Sequence, residues 1–177
     1  MDKNFTRQEA IAENQTQWYD ARDLELYGLF YDGSLLRRMP GDIAETVNHG
    51  VHNYSAYSAG GRVRFSTDSP FVALKVEYGP GSVPTVNNHC VSYGFDLYRM
   101  ENGVEIFTSS ARPVAGFDYK YGQYKMLTKN NSEMTAYTIN FPTFTSIRKL
   151  EIGIEIGSAI APGAAYRNEL PVVYYGS

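Results

Sequence analysis

One cysteine, Cys90, stands in a chain of 177 residues. It cannot form an internal disulfide, so packing must stabilise the fold, and a reducing compartment fits. A basic excess is missing too: 16 Lys and Arg face 19 Asp and Glu, for a formal net charge of -3. No broad positive field is available to hold a phosphate backbone, so nucleic acid is not an expected partner. Long apolar runs are absent. Pro171 to Tyr175 is typical of the longest, far below the roughly 20 residues that span a bilayer, so no membrane partner is expected. The polar opening Met1-Asp2-Lys3-Asn4 has no apolar segment of a secretory leader behind it. The cytoplasm is therefore the expected location, with secretion if a leader has been removed.

Histidine and cysteine, the ligands of zinc-type sites, are equally sparse. His49-Gly50-Val51-His52 has a spacing that would bring two imidazoles together on a helical turn. A glycine lies between them and the other pair, His89-Cys90, is far away in sequence, so this stretch reads as a solvated loop. No metal and no cofactor are expected.

What the chain has in abundance is tyrosine: 15 residues, within 14% aromatics. Tyrosine favours pleated strands and also supplies flat amphipathic contact surfaces. With 43% hydrophobic and 20% charged residues the balance is that of a folded domain. Alternation of apolar and polar positions marks strands at Trp18 to Leu26, Arg62 to Ser66, Phe71 to Tyr78, Tyr93 to Met100, Val104 to Thr108, Thr135 to Phe141 and Leu150 to Ile156. Thr67-Asp68-Ser69-Pro70 reads as the turn of an antiparallel hairpin between the second and third of these. Asn102-Gly103 is the pair favoured by a tight type I′ hairpin between the fourth and fifth. Gly79 to Pro84 reads as a loop.

No amphipathic helix of more than about 12 residues is evident. The expectation is an all-β fold, a jelly-roll-type β-sandwich of antiparallel strands. Residues 1–17 read as a flexible N-terminal segment and 18–162 as the sandwich. Residues 163–177 read as a linker and the first strand of another domain, because Pro171 to Tyr175 is continuously apolar, as in a strand buried on both faces of a parallel sheet.

Two sets of residues carry a resemblance. The apolar strand ending in Gly176-Ser177 resembles the first block of SGNH, or GDSL-type, esterases, where such a strand leads into the nucleophile. The stretch Gly94-Phe95-Asp96-Leu97-Tyr98 matches the Gly-x-Asp-Leu-Tyr signature of the N-terminal domain of a bacterial SGNH-type esterase family. Trp18 to Leu24, Ser58-Ala59-Gly60 before Arg62 to Phe65, and Leu150 to Gly153 follow in family order. The resemblance implies a β-sandwich packed on a C-terminal SGNH hydrolase domain of the same polypeptide. That domain would carry the catalytic serine, expected immediately after Ser177, and would act on small acyl esters, with carbohydrate or an acylated small molecule as ligand.

The expected function is then a non-catalytic accessory domain of a serine esterase that helps shape its substrate cleft; the alternative is an independent carbohydrate-binding module. No residue of this chain is expected to be catalytic. Gly94, Asp96, Leu97, Tyr98, Ser58 and Gly60 are signature and interface candidates. Tyr119, Tyr121 and Tyr124 are candidates for stacking on a sugar ring. Asp96, flanked by Phe95 and Leu97, is read as a carboxylate bonded to backbone or tyrosine donors to hold a turn. Ser58 has no adjacent His or acid and is read as a turn residue.

Overall fold

Alternation along Phe71–Tyr78 buries Val72, Leu74, Val76 and Tyr78 while Lys75 and Glu77 stay half-exposed. The same two-residue period buries Leu150, Ile152 and Ile154 in Ile147–Glu155, and Tyr137 and Ile139 in Thr135–Asn140. In the computed structural model, which describes residues 10–80, 89–113 and 117–166, these strands build two facing antiparallel sheets. The elements are β1 (Thr16–Asp20), β2 (Glu25–Tyr27), β3 (Phe30–Tyr31), β4 (Leu36–Arg37), α1 (Gly41–Val47), α2 (His49–Ser55), β5 (Arg62–Thr67), β6 (Phe71–Tyr78), α3 (His89–Tyr93), β7 (Phe95–Glu101), β8 (Val104–Ala111), β9 (Tyr121–Thr128), β10 (Thr135–Asn140), β11 (Ile147–Glu155) and β12 (Ile160–Ala161). One sheet runs β3-β4-β11-β6-β9 with β1 added on β11; the other runs β12-β5-β10-β7-β8 with β2 added on β5. The expected all-β sandwich is therefore found, and its core lies between the inner faces, where Phe65, Phe95, Leu97 and Ile139 of the second sheet meet Leu74, Leu150 and Ile152 of the first.

Three expectations need correction. The stretches Arg62 to Ser66 and Phe71 to Tyr78 are not a hairpin: β5 and β6 lie in different sheets. The connecting turn crosses between layers because Ser69, fully buried, holds it. Its hydroxyl donates to the Phe71 carbonyl and accepts the amides of Phe71 and Glu155, while its own amide donates to Thr67 Oγ1. Trp18 to Leu26 likewise divides into β1 and β2 of opposite sheets around a 3-10 turn at Ala21–Asp23. The Asp20 side chain caps that turn by accepting the Arg22 amide at 2.9 Å.

The residues before Trp18 are also part of the sandwich as far as Glu13. A 3-10 turn covers Glu13–Gln15 and β1 begins at Thr16. Glu13 binds Lys75 Nζ, Trp18 Nε1 and Gln123 Nε2, and Lys75 lies 4.1 Å over the Trp18 ring. Met1 to Glu9, the loop residues Gly81 to Pro84, and the apolar stretch Pro171 to Ser177 lie outside the described residues. Among the described residues no helix is long and apolar enough to cross a membrane.

The hairpin at Asn102-Gly103 is as expected. Glu101 pairs with Val104, and both loop residues have positive φ, 51° and 77°, the left-handed pair that a type I′ turn requires. Gly103→Val should cost about 1 kcal/mol or more, because a β-branched residue is strained at that φ. A urea titration would show a lower midpoint with an unchanged slope.

Asp32 organises the β3–β4 hairpin. Its Oδ1 accepts the amides of Ser34 and Leu35 and the Ser34 hydroxyl, and its Oδ2 accepts Arg37 Nε. Burial pushes its pKa upward, but these donors outweigh it and hold the carboxyl at about 2. Protonation therefore favours the unfolded chain. The stabilisation from Asp32 is complete above the ordinary value of 3.8 and is lost as pH falls toward 2. The stability gap between the wild type and Asp32→Asn, followed by chemical denaturation, should close over that window.

Candidate functional site

The signature residues divide by the period of β7. Phe95 and Leu97 point into the core with no solvent exposure, whereas Asp96 is exposed and Tyr98 half-exposed on the opposite, outer face. The reading of Asp96 as a carboxylate that holds a turn through backbone or tyrosine donors is thus corrected. Pairing places Asp96 opposite Ser110, and the Ser110 hydroxyl donates to Asp96 Oδ1 at 2.6 Å, a bond between two strands. Tyr98 pairs with Phe107, ring to edge at 5.7 Å, and Phe107 is 55% exposed.

The same face continues across the sheet. Register sets Thr138 of β10 between Tyr98 and Arg64, and Asn140 between Asp96 and Arg62. Glu25 and Tyr27 of β2 lie opposite Arg64 and Arg62. The chain after β12 is laid over this surface. The Ser66 hydroxyl donates to the Pro162 carbonyl at 2.8 Å, the Gly163 amide to Glu25 Oε2 at 3.0 Å, and Arg64 Nη2 to the Ala164 carbonyl at 2.6 Å. Tyr166 then packs over Arg64 at 4.0 Å and accepts a hydrogen bond from Arg62 Nε at 3.1 Å. Residues 163–166, expected to be linker, are therefore bonded to the sandwich.

Between this strap and the β7–β8 hairpin lies a cleft of about 270 Å³, bounded by Arg62, Arg64, Met100, Glu105 and Tyr166. Arg64 is 3% exposed, and among the described residues no carboxylate lies within ion-pair distance of it. Its Nε is buried without a hydrogen-bond partner, an arrangement that costs about 1–3 kcal/mol unless something else accepts the proton. Glu105, on the opposite side, accepts the Thr138 hydroxyl at 2.6 Å. None of these residues was a candidate site residue from the sequence, although Arg62 and Arg64 stand in one of the family landmarks. The outward arginines of Arg62-Val63-Arg64 were a signal, but the register that sets them near β7 and β8 was not.

The other signature residues hold the fold. A methyl group on Gly94 would stand 2.3 Å from the Cys90 carbonyl oxygen and 3.1 Å from that of Ala111, so glycine lets α3 end directly against β8. Ser58 is fully buried, not merely a turn residue: its amide and hydroxyl both donate to the Thr145 carbonyl, and the hydroxyl is also within reach of that of Pro142. Gly60 follows at φ 82°, completing that turn. Trp18 pairs with Gly153, whose lack of a side chain leaves room for the indole, which joins the first and last landmarks as neighbours across β1 and β11.

The three candidate tyrosines do not share a platform. Tyr124 is 3% exposed in the core, and Tyr121 is 63% exposed. Tyr119, at φ 62°, packs against Phe117, Tyr93 and His89. Behind them Tyr78 donates to the Tyr93 carbonyl at 2.7 Å, and burial, with Tyr124 adding to it, pushes the Tyr78 hydroxyl far above its ordinary value. It donates that bond as the neutral phenol.

The expected solvated loop at His49 to His52 is α2, capped by Asn48 Oδ1, which accepts the Val51 amide. His52 Nδ1 lies 3.2 Å from the Gly41 carbonyl and His49 Nε2 lies 3.0 Å from Asn53 Nδ2. The two rings thus have separate partners, and no metal-ligating cluster occurs among the described residues.

Known proteins share this fold. A protein from Bacteroides ovatus described as a GDSL-like lipase superposes with a TM-score of 0.74 at 22% identity, over 84% of this chain and 43% of its own. The salicylyl-acyltransferase SsfX3 from a tetracycline biosynthetic pathway superposes at 0.54 and 16% identity, over 90% of this chain and 42% of its own. The chain thus spans less than half the length of either protein, and at these identities the likeness is one of fold. No curated protein matches the sequence. The family model described as GxDLY, N-terminus of Esterase_SGNH_hydro-type, matches residues 16–160, from the first strand to the last, and this chain belongs to that family.

Proposed function

We propose that this domain is the non-catalytic N-terminal partner of an SGNH/GDSL-type serine esterase domain in the same polypeptide. It packs on that domain through the outer face of β7 and β8 and forms one side of the substrate cleft. The observation that carries this reading is the joint placement of Asp96, Tyr98 and exposed Phe107 on the face that the 162–166 strap crosses. A domain continuing from Tyr166 starts from that surface. Exposed aromatic residues flanked by polar ones are the usual anchors of such contacts. Ser58, the serine within one of the landmarks, spends its hydroxyl on backbone carbonyls and has no imidazole among its hydrogen-bond partners in the described residues.

Two measurements test the reading. The chain by itself should not hydrolyse short acyl esters above background; turnover abolished by replacing one of its serines would overturn the proposal. In the polypeptide that includes the hydrolase domain, Tyr98→Ala should raise KM about fivefold or lower the melting temperature, with a smaller change in kcat, as expected when a contact outside the chemical step is lost. A fall in kcat as deep as that from removing the nucleophile, with KM and stability unchanged, would place Tyr98 in the chemistry instead. The dispersal of Tyr119, Tyr121 and Tyr124 leaves the carbohydrate-module alternative without a stacking platform at those residues.

A further inference from the structure

We propose that the cleft between the strap and the β7–β8 hairpin is a binding site for a small hydroxy-carboxylate. Two arginines stand on one wall, Arg64 almost wholly buried and Arg62 exposed, and Glu105 stands on the other. Charge and donors are in excess on the arginine side. Arg64 has one carbonyl and one ring as partners, its Nε has none, and the one carboxylate paired with it in the sheet, Glu25, accepts the Gly163 amide. A planar carboxylate is the group that guanidinium donors recognise most strongly, by charge-assisted hydrogen bonds. Glu105 has one oxygen bonded to Thr138 and retains acceptor capacity, which a ligand hydroxyl would use. Met100 and the Tyr166 ring supply the apolar part of the lining. The volume suits a molecule of a few carbons, below the usual range for larger ligands.

The site lies within this chain, so its occupancy can be measured without any other domain, and its failure would leave the docking reading standing. Lactate is titrated into the chain while the arginine Nε–H resonances are followed, with acetate and methyl lactate as comparisons. Lactate should shift the Arg64 signal saturably with Kd on the order of 1 mM. Acetate should bind more weakly, and methyl lactate, which lacks the charge, should not bind. Arg62→Gln, at an exposed position, should weaken lactate about tenfold, the loss of one charge-assisted bond. Glu105→Ala should bring lactate down to the affinity of acetate. The proposal is overturned if no carboxylate gives a saturable shift, if methyl lactate binds as well as lactate, or if either variant binds lactate unchanged. One competing source of the same chemistry lies in the chain itself, three residues beyond Tyr166. If Glu169→Gln, with no lactate present, displaces the Arg64 signal and opens the site to lactate, the chain's own carboxylate is the occupant and the small-ligand assignment fails.

Discussion

Replacing Gly94 by alanine should destabilise the domain by about 3 kcal/mol, the upper range for forcing atoms into packed structure. The new methyl group would meet the Cys90 carbonyl oxygen at 2.3 Å and the Ala111 carbonyl oxygen at 3.1 Å, both backbone atoms that no side-chain rotation can move aside. The Gly94 amide also donates to the Cys90 carbonyl at 2.9 Å, so relief by moving α3 away would stretch the bond that ends it. For a domain of this size the loss corresponds to a melting temperature lower by about 10 °C, measurable by circular dichroism. A variant that melts with the wild type would show that the backbone at Gly94 accommodates a side chain, and the first residue of the signature would then need another explanation.

Leu97→Ala should have an effect of comparable size, about 2–5 kcal/mol, for a different reason. Leu97 has no solvent exposure, and its strand neighbours on the inner face are Ile139 and, one strand further, Val63, themselves fully buried. Truncation removes apolar area from the core and leaves a cavity that rigid strands on both sides cannot close. Asp96→Asn, one residue away, should cost well under 1 kcal/mol, since the carboxylate is exposed and its partner Ser110 can rebond to water. Denaturant titrations of the pair give a direct measure of the division within the signature. Equal destabilisation by both would mean that Asp96 is part of the fold's support and not a residue of the outer surface.

Much of the local structure was legible in the residues. Alternation located most of the strands in both sheets, and Asn102-Gly103 located the hairpin together with its turn type. The short helices α1 and α2 were not seen. Each spans only two turns, too little for a 3.6-residue period to show, and His49-Gly50 reads as a break although Asn48 caps a helix there. Asp96 was read as holding a turn because the strand pairing that sets it opposite Ser110 is not visible along the chain. The strict two-residue period that buries Phe95 and Leu97 must put Asp96 outside.

By itself the sequence determined the class of fold, the alternation that assigns each strand an inner and an outer face, and, through Gly94 to Tyr98 and the landmarks around it, the family. These are properties of neighbouring residues, governed by the pleat and by backbone sterics, and they can be read along the chain. Which strands share a sheet was decided only in three dimensions. The turn at Thr67 to Pro70 becomes a crossing between layers because Ser69 finds partners in Phe71 and, far along the chain, Glu155. The gathering of Arg62, Arg64, Glu105 and Tyr166 around one cleft likewise depends on β5, β10, β7 and β8 pairing in that order and on the strap returning across β5. Such pairings join residues dozens of positions apart through backbone hydrogen bonds that are chemically alike at every register, so only the packing of the whole core selects among them.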